Sequence, residues 1–319
     1  MDFENMTTEY EIVDSLDPDD RIWLQWKSLV ENEGWKSDDL SVLTLTPRLP
    51  STRIVLARKK KDASYIGSVV WNEYDNIAFI GFYLILPAYR GQGVGSVIWE
   101  RAIERVPRNY TIVLRGVPKM VPRYKSQDTP VEGATLHSYE VDEQTILKVK
   151  DLQADINCTI KKVSELTALE YRELEQFDLS IVKRDRKDFL RRFYNLPFTT
   201  GIVLFNNNNE IVATAASCPT SHPDLHLYKL APLYASSTQE ASIVLKTLVA
   251  EVKKVDTEAR FVIQVLTGSV GFKFFTSLFT SMNVLSEVCG VTLFSRTFAN
   301  PIDNERLFIP HNNSCHFDA

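Results

Sequence analysis

No stretch of the 319 residues approaches the roughly 20 consecutive apolar residues that cross a bilayer as a helix. The start, Met1-Asp2-Phe3-Glu4-Asn5, lacks the basic residues and apolar run of a secretory signal. Cysteine is sparse as well. Cys158, Cys218, Cys289 and Cys315 stand without CxxC spacing, which argues against a disulfide framework or zinc site and for a reducing compartment. Together these absences predict a soluble, cytoplasmic protein without a metal. Positive charge is not in excess, since the formal net charge is -5, and no nucleic-acid or membrane partner is expected. The basic run Arg58-Lys59-Lys60-Lys61 reads as a solvated hairpin loop, and Lys161-Lys162 and Lys253-Lys254 as solvated helix or loop charges.

What is present is an ordinary globular composition, 44% hydrophobic and 24% charged, in a chain long enough for two domains. Tyr10-Glu11-Ile12-Val13 predicts a first strand, and Asp17-Pro18-Asp19-Asp20 opens a helix over Arg21 to Glu33 that stops at Gly34. The β-rich runs 53–57 and 65–71 flank the charged loop as a hairpin, and Ala78 to Leu86 is a third apolar run. Ser96 to Val106 has helical spacing; a strand over Tyr110 to Leu114, a short broken helix over Pro118 to Ser126 and a closing strand over Thr135 to Val141 follow.

The same order recurs in the second half. Val55 and Val203, Pro87 and Pro232, and Val113 and Ile263 lie 148, 145 and 150 positions apart. Residues 1–150 and 151–300 are therefore expected to be two copies of one fold. Residues 301–319, polar and containing His311, Cys315 and His316, read as a loose tail and not as a metal site.

Between the third apolar run and its helix lies Arg90-Gly91-Gln92-Gly93-Val94-Gly95. Glycines at alternate positions strip side chains from a turn that opens a helix. Backbone N–H groups can then point at an anion, favoured by the helix dipole and by the charge of Arg90. A P-loop would need Gly-Lys-Ser/Thr where Gly95-Ser96-Val97 stands, and a dinucleotide fingerprint would need glycine at Ser96 and a single strand ahead of the turn. No Cys or Ser sits in a nucleophile motif such as Gly-x-Ser-x-Gly, so covalent catalysis has no support.

Ile85-Leu86-Pro87-Ala88-Tyr89-Arg90-Gly91-Gln92-Gly93-Val94-Gly95 resembles the signature of the GNAT superfamily of N-acetyltransferases, Arg/Gln-x-x-Gly-x-Gly/Ala after a strand ending in an apolar-x-Pro-x-Tyr pattern. The resemblance covers about residues 10 to 141 with the motif intact and the second half in outline. At the offset of 145, Arg90, Gly91, Gly93 and Gly95 correspond to Ala235, Ser236, Thr238 and Glu240, so the second copy resembles the degenerate domain of the family's two-domain branch. The fold class implied is α/β (α+β): tandem GNAT-like domains, each a mixed, mostly antiparallel central sheet flanked by helices.

The resemblance also implies site residues. Ile85, Leu86 and Pro87 match the strand end that runs beside the pantetheine arm of acetyl-CoA. Arg90, Gly91, Gln92, Gly93, Val94, Gly95, Ser96 and Val97 match the pyrophosphate cradle. The strands over Ala78 to Leu86 and Tyr110 to Leu114 are expected to splay and admit the donor. Tyr124 matches the family's proton donor to the leaving thiolate, and reads equally as a packing tyrosine. The strand 78–83 lacks the carboxylate many relatives use as base, which leaves Glu73 and, beside it, Asp75, or a water relay. Glu33, Trp35 and Asp38, with Glu31 and Asp39 nearby, are where the family recognises its acceptor and would suit a cationic amine; they also read as an acidic helix end over a packed tryptophan. The expected activity is transfer of an acetyl group from acetyl-CoA to a primary amine of a small molecule or peptide, by direct attack in a ternary complex, by a monomer or homodimer. A CoA-binding sensor or interaction module is the second account.

Overall fold

The computed structural model describes residues 9–35, 39–148 and 158–311. In the first half, β1 (Tyr10–Val13) pairs antiparallel with β2 (Thr52–Lys59). β2, β3 (Tyr65–Tyr74) and β4 (Ile77–Ile85) form a meander. Asp75 and Asn76 make the β3–β4 turn at φ 47° and 64°, the left-handed region that Asn and Asp tolerate best after glycine.

Side chains alternate across this sheet and find a different helix on each face. On one face Ile54, Leu56, Val70 and Phe82 pack against α1 (Ile22–Asn32), through Trp23, Trp26, Leu29 and Val30, and against α2 (Leu40–Leu45) through Val42 and Leu43. On the other, Val55, Ala57, Val69 and Trp71 pack against Val94, Ile98, Trp99 and Ala102 of α3 (Val94–Arg105). After α3 come β5 (Thr111–Gly116), a 3-10 turn at Pro118–Met120, α4 (Val121–Lys125), β6 (Val131–Val141) and α5 (Glu143–Leu147). Pro118 and Pro122 break the segment after β5 as expected.

The second half repeats the order with β7 (Thr159–Lys162), α6 (Ala168–Val182), α7 (Lys187–Tyr194), β8 (Thr200–Phe205), β9 (Ile211–Pro219) and β10 (Leu227–Ala235). It continues through α8 (Thr238–Val255), β11 (Arg260–Leu266), α9 (Val270–Ser281), β12 (Glu287–Phe294) and a further strand, β13 (Leu307–Ile309). The residues matched to the glycine turn form no loop here. Only Ser236 and Ser237 connect β10 to α8, and the Ser237 side chain caps the helix by accepting from the Glu240 N–H.

One mixed sheet runs through the molecule in the order β1-β2-β3-β4-β5-β12-β6-β11-β10-β9-β8-β7. The β4–β5 and β10–β11 pairs are parallel. The strand expected to close the first half does not pair with that half's other strands: β6 lies between β11 and β12, while β12 of the second half pairs with β5. Each half thus gives one strand, β6 or β12, to the other, and the edges of β5 and β11 are both paired.

A second departure concerns residues 301–319. Ile302, Leu307, Phe308, Ile309 and His311 are buried, and the His311 ring lies 4.9 and 4.4 Å from the rings of Phe189 and Phe193. Residues 302–311 thus join the core and do not form a loose tail, because Ile302, Leu307, Phe308 and Ile309 meet the second half's sheet and helices. Cys315 and His316 lie outside the described residues.

Candidate active site

The β4–β5 ladder lasts only from Ile77/Thr111 to Ile80/Leu114. Beyond it β4 continues to Ile85 and β5 to Gly116, and the strands separate around a cavity of about 1470 Å³. Ile80, Gly81, Tyr83, Leu84, Ile85 and the glycine turn line one side, Leu114, Arg115 and Tyr124 another. The far wall is built by the exchanged strands β6 (Leu136, Ser138 and Glu140) and β12 (Glu287 to Gly290), together with Val262 and Gln264 of the neighbouring β11.

At the mouth, Gly91 and Gly93 stand at φ 78° and 85°, where a side chain would be strained, and Gly93 is the N-cap of α3. No side chain caps this helix, so the N–H groups of its first turn remain available beside the cavity. Gly95 is required by packing instead. A Cβ there would lie 2.5 Å from the Tyr83 hydroxyl. A glycine-rich turn, an uncapped helix start and the adjoining slot together fit the pyrophosphate and pantetheine of a CoA.

Ile85, Arg90, Gly91, Gln92, Gly93, Gly95 and Ser96 line the cavity as expected from the motif; Leu86, Pro87, Val94 and Val97 do not. Val94 is buried beneath the turn, Val97 faces outward, Leu86 packs towards α1 and Pro87 opens a 3-10 turn. Arg90 is engaged on two sides: its Nε donates to the Ile85 carbonyl at 2.9 Å, and its guanidinium pairs with the Glu33 carboxylate. Gln92 donates to the Ala88 carbonyl at 2.6 Å.

Tyr124 lines the cavity, and burial pushes its phenol up to about 12. Its ring centre is 5.5 Å from that of Trp99, which in turn is 5.2 Å from Tyr83, and Trp99 Nε1 donates to Asp128 at 2.6 Å. Burial raises Tyr83 too, so two neutral phenols face one slot.

Glu73 is not brought to this place. It pairs with Ala78 at the other end of β4, accepts from Trp71 Nε1 at 2.8 Å and meets Arg53 at 3.1 Å. Asp75 is exposed in the hairpin turn. Glu33 and Trp35 line the cavity, Glu33 held by Arg90 and Trp35 stacked on Phe82, while Asp38 lies outside the described residues. Asp39 is buried as the cap of α2 and lies 3.7 Å from Lys229 Nζ, so it serves structure. Tyr83, Trp99, Glu140, Gln264 and Glu287 were not predicted. Tyr83 shares a strand face with Gly81 and Ile85, and Trp99 is one helical turn beyond Gly95, so their placement could be read from spacing. The wall residues depend on the strand exchange.

Among the described residues no helix is long and apolar enough to cross a membrane, and no group of three or more His, Cys, Asp or Glu is placed to hold a metal. The Acetyltransferase (GNAT) family matches residues 14–120. Over 314 residues, 97% of this chain and 98% of the other, the sequence is 41% identical to F36G3.2, an uncharacterized protein of Caenorhabditis elegans. A tandem GNAT protein from the clavulanic acid biosynthesis pathway superposes with a TM-score of 0.67 at 11% identity, over 91% of this chain and 100% of that one. A candidate acetyltransferase of Pyrococcus horikoshii gives 0.66 at 16% identity, over 97% and 96%. Identities this low speak for the fold alone. The matched family and the glycine turn at the head of a splayed parallel pair agree: residues 14–120 carry an acetyltransferase domain of the GNAT family, in a chain whose whole fold is that of tandem GNAT proteins.

Proposed function

We propose that this chain transfers the acyl group of an acyl-CoA, acetyl foremost, to a primary amine by direct attack in a ternary complex. The observation that carries this reading is the β4–β5 separation, which joins an uncapped, glycine-rich helix start to a wall bearing carboxylates. The Gly91–Gly95 turn and the first N–H groups of α3 hold the pyrophosphate, and the edge of β4 over Gly81–Ile85 runs beside the pantetheine. A bound acyl-CoA supplies the thioester carbonyl.

The amine must be neutral to attack, and forming the C–N bond releases one proton as the C–S bond breaks. Tyr124 gives its proton to the departing sulfur and takes one back from solvent before the next turnover; with a pKa raised to about 12 it rests protonated at ordinary pH. The proton lost by the amine passes to solvent or to the wall, where Glu140 and Glu287 take the place expected of Glu73. A small-molecule or peptide amine enters from this wall. The test is release of free thiol from acetyl-CoA across amines, polyamines, amino acids and peptide N-termini. Amine-dependent release supports the transferase, whereas CoA binding without release for any amine or acyl donor would replace it with a CoA-binding module.

A further inference from the structure

The two halves open their parallel ladders at matching rungs. In the first, β4 and β5 part after Ile80/Leu114 and the cavity begins. In the second, β10 and β11 part after Leu230/Ile263. There β10 meets no opening. Its next residues pair antiparallel with β13, Leu233 against Ile309 and Tyr234 against Leu307, and the Ala235 N–H donates to the Arg306 carbonyl at 3.1 Å. β13 also lies against β11, so it fills the wedge between the parted strands.

The fit is close on every side. Leu307, Phe308 and Ile309 are at most 1% exposed. Leu307 packs with Ile181 and Leu266, while Phe308 and Ile309 pack with Phe275 and its neighbours. The strand is therefore buried on both faces, like a central strand. Gly271 in α9 admits it: a Cβ there would stand 1.7 Å from the Phe308 carbonyl oxygen. Flanking ties fix the approach, with the Val270 N–H on the Asn304 carbonyl and the Asp303 N–H on the Ile181 carbonyl, both at 2.9 Å.

We infer that the wedge between β10 and β11 is a strand-binding slot, shaped for an extended apolar peptide and taken in cis by residues 302–311. The β10 edge reads the occupant's backbone, the two apolar faces read its side chains, and Gly271 leaves room for its main chain. The second half thus holds a peptide strand at the position where the first half holds its cavity, and the whole chain takes one CoA. That stoichiometry rests on the proposed function; the strand slot does not. The filled slot also steadies β11 and α9, which back the cavity wall: Val262 and Gln264 belong to that wall, and Thr276 of α9 hydrogen-bonds the Tyr139 hydroxyl at 3.0 Å.

Arg306 places a trypsin site inside the occupant, so limited trypsin digestion of the full chain reads the slot directly. Cleavage after Arg306 should be at least tenfold slower in the natural chain than in Gly271→Val or Leu307→Asp/Ile309→Asp. A synthetic peptide of residues 302–311 should raise the melting temperature of the double variant, whose slot is intact, and leave the natural chain unmoved. Equal cleavage at Arg306 in a natural chain with its native circular dichroism, or two CoA bound per natural chain, would overturn the inference. Should the variants fail to fold, Phe308→Ala, which keeps the strand ladder, and protection of Arg306 in the natural chain decide the matter. If no CoA binds at all, the proposed function falls and Arg306 protection still tests the slot.

Discussion

Gly95 stands in the cradle motif, yet the structure assigns its lack of a side chain to Tyr83, and a double-mutant cycle tests this. A Cβ at Gly95 would lie 2.5 Å from the Tyr83 hydroxyl but 3.5 Å from its Cζ and from Ile85 Cγ1, which are ordinary contacts. The hydroxyl alone makes the clash. In the natural background Gly95→Ala gains up to about 1 kcal/mol of helix propensity and meets an overpacking cost of about 1–3 kcal/mol. In Tyr83→Phe the propensity gain remains and the clash is gone. Propensity cancels between the backgrounds, leaving a coupling of about 1–3 kcal/mol. At ~2–4 °C per kcal/mol for a chain of this order, the thermal midpoints of the four proteins should depart from additivity by about 2–12 °C. Additive midpoints, within about 0.5 kcal/mol, would refute the reasoning and return Gly95 to the cradle.

Tyr124→Phe should lower kcat by about 10²–10⁴ with little change in KM for either substrate, as for loss of a positioned acid. Because burial holds that phenol up to about 12, the natural enzyme's rate should rise as the amine deprotonates and show no alkaline fall from Tyr124 up to pH 10; a fall near pH 8–9 that vanishes in the phenylalanine variant would contradict the assignment. Asp178→Asn should cost about 3–5 kcal/mol, read as a loss of thermal stability, because it leaves the buried Arg186 without the carboxylate that meets its Nε at 2.8 Å.

The glycine turn was legible because glycines at alternate positions ahead of a helical run marked a turn stripped of side chains; that Gly91 and Gly93 also stand at positive φ is what the structure adds. The repeat was legible because the helix and strand periods recur in one order. What periodicity cannot give is a strand's neighbour. It fixes which face of β6 or β12 is apolar but not whose edge it joins, so the exchange, and with it the Glu140 and Glu287 wall, was hidden. The same limit misplaced Glu73: it is near the cavity strand in sequence, but the hairpin carries it to the closed end of the β4–β5 ladder. Leu307-Phe308-Ile309 is too short a run to declare itself a strand among polar residues.

The central claim is that the cradle at the head of α3 holds acyl-CoA, and calorimetric titration of acetyl-CoA into the natural chain and Gly93→Glu tests it most directly. At Gly93 a glutamate would be strained at φ 85° and would set a negative charge at the helix start. The account predicts one acetyl-CoA per natural chain and binding at least ~100-fold weaker in a folded Gly93→Glu protein, a difference of about 2.8 kcal/mol. Equal affinity in the two proteins would contradict it.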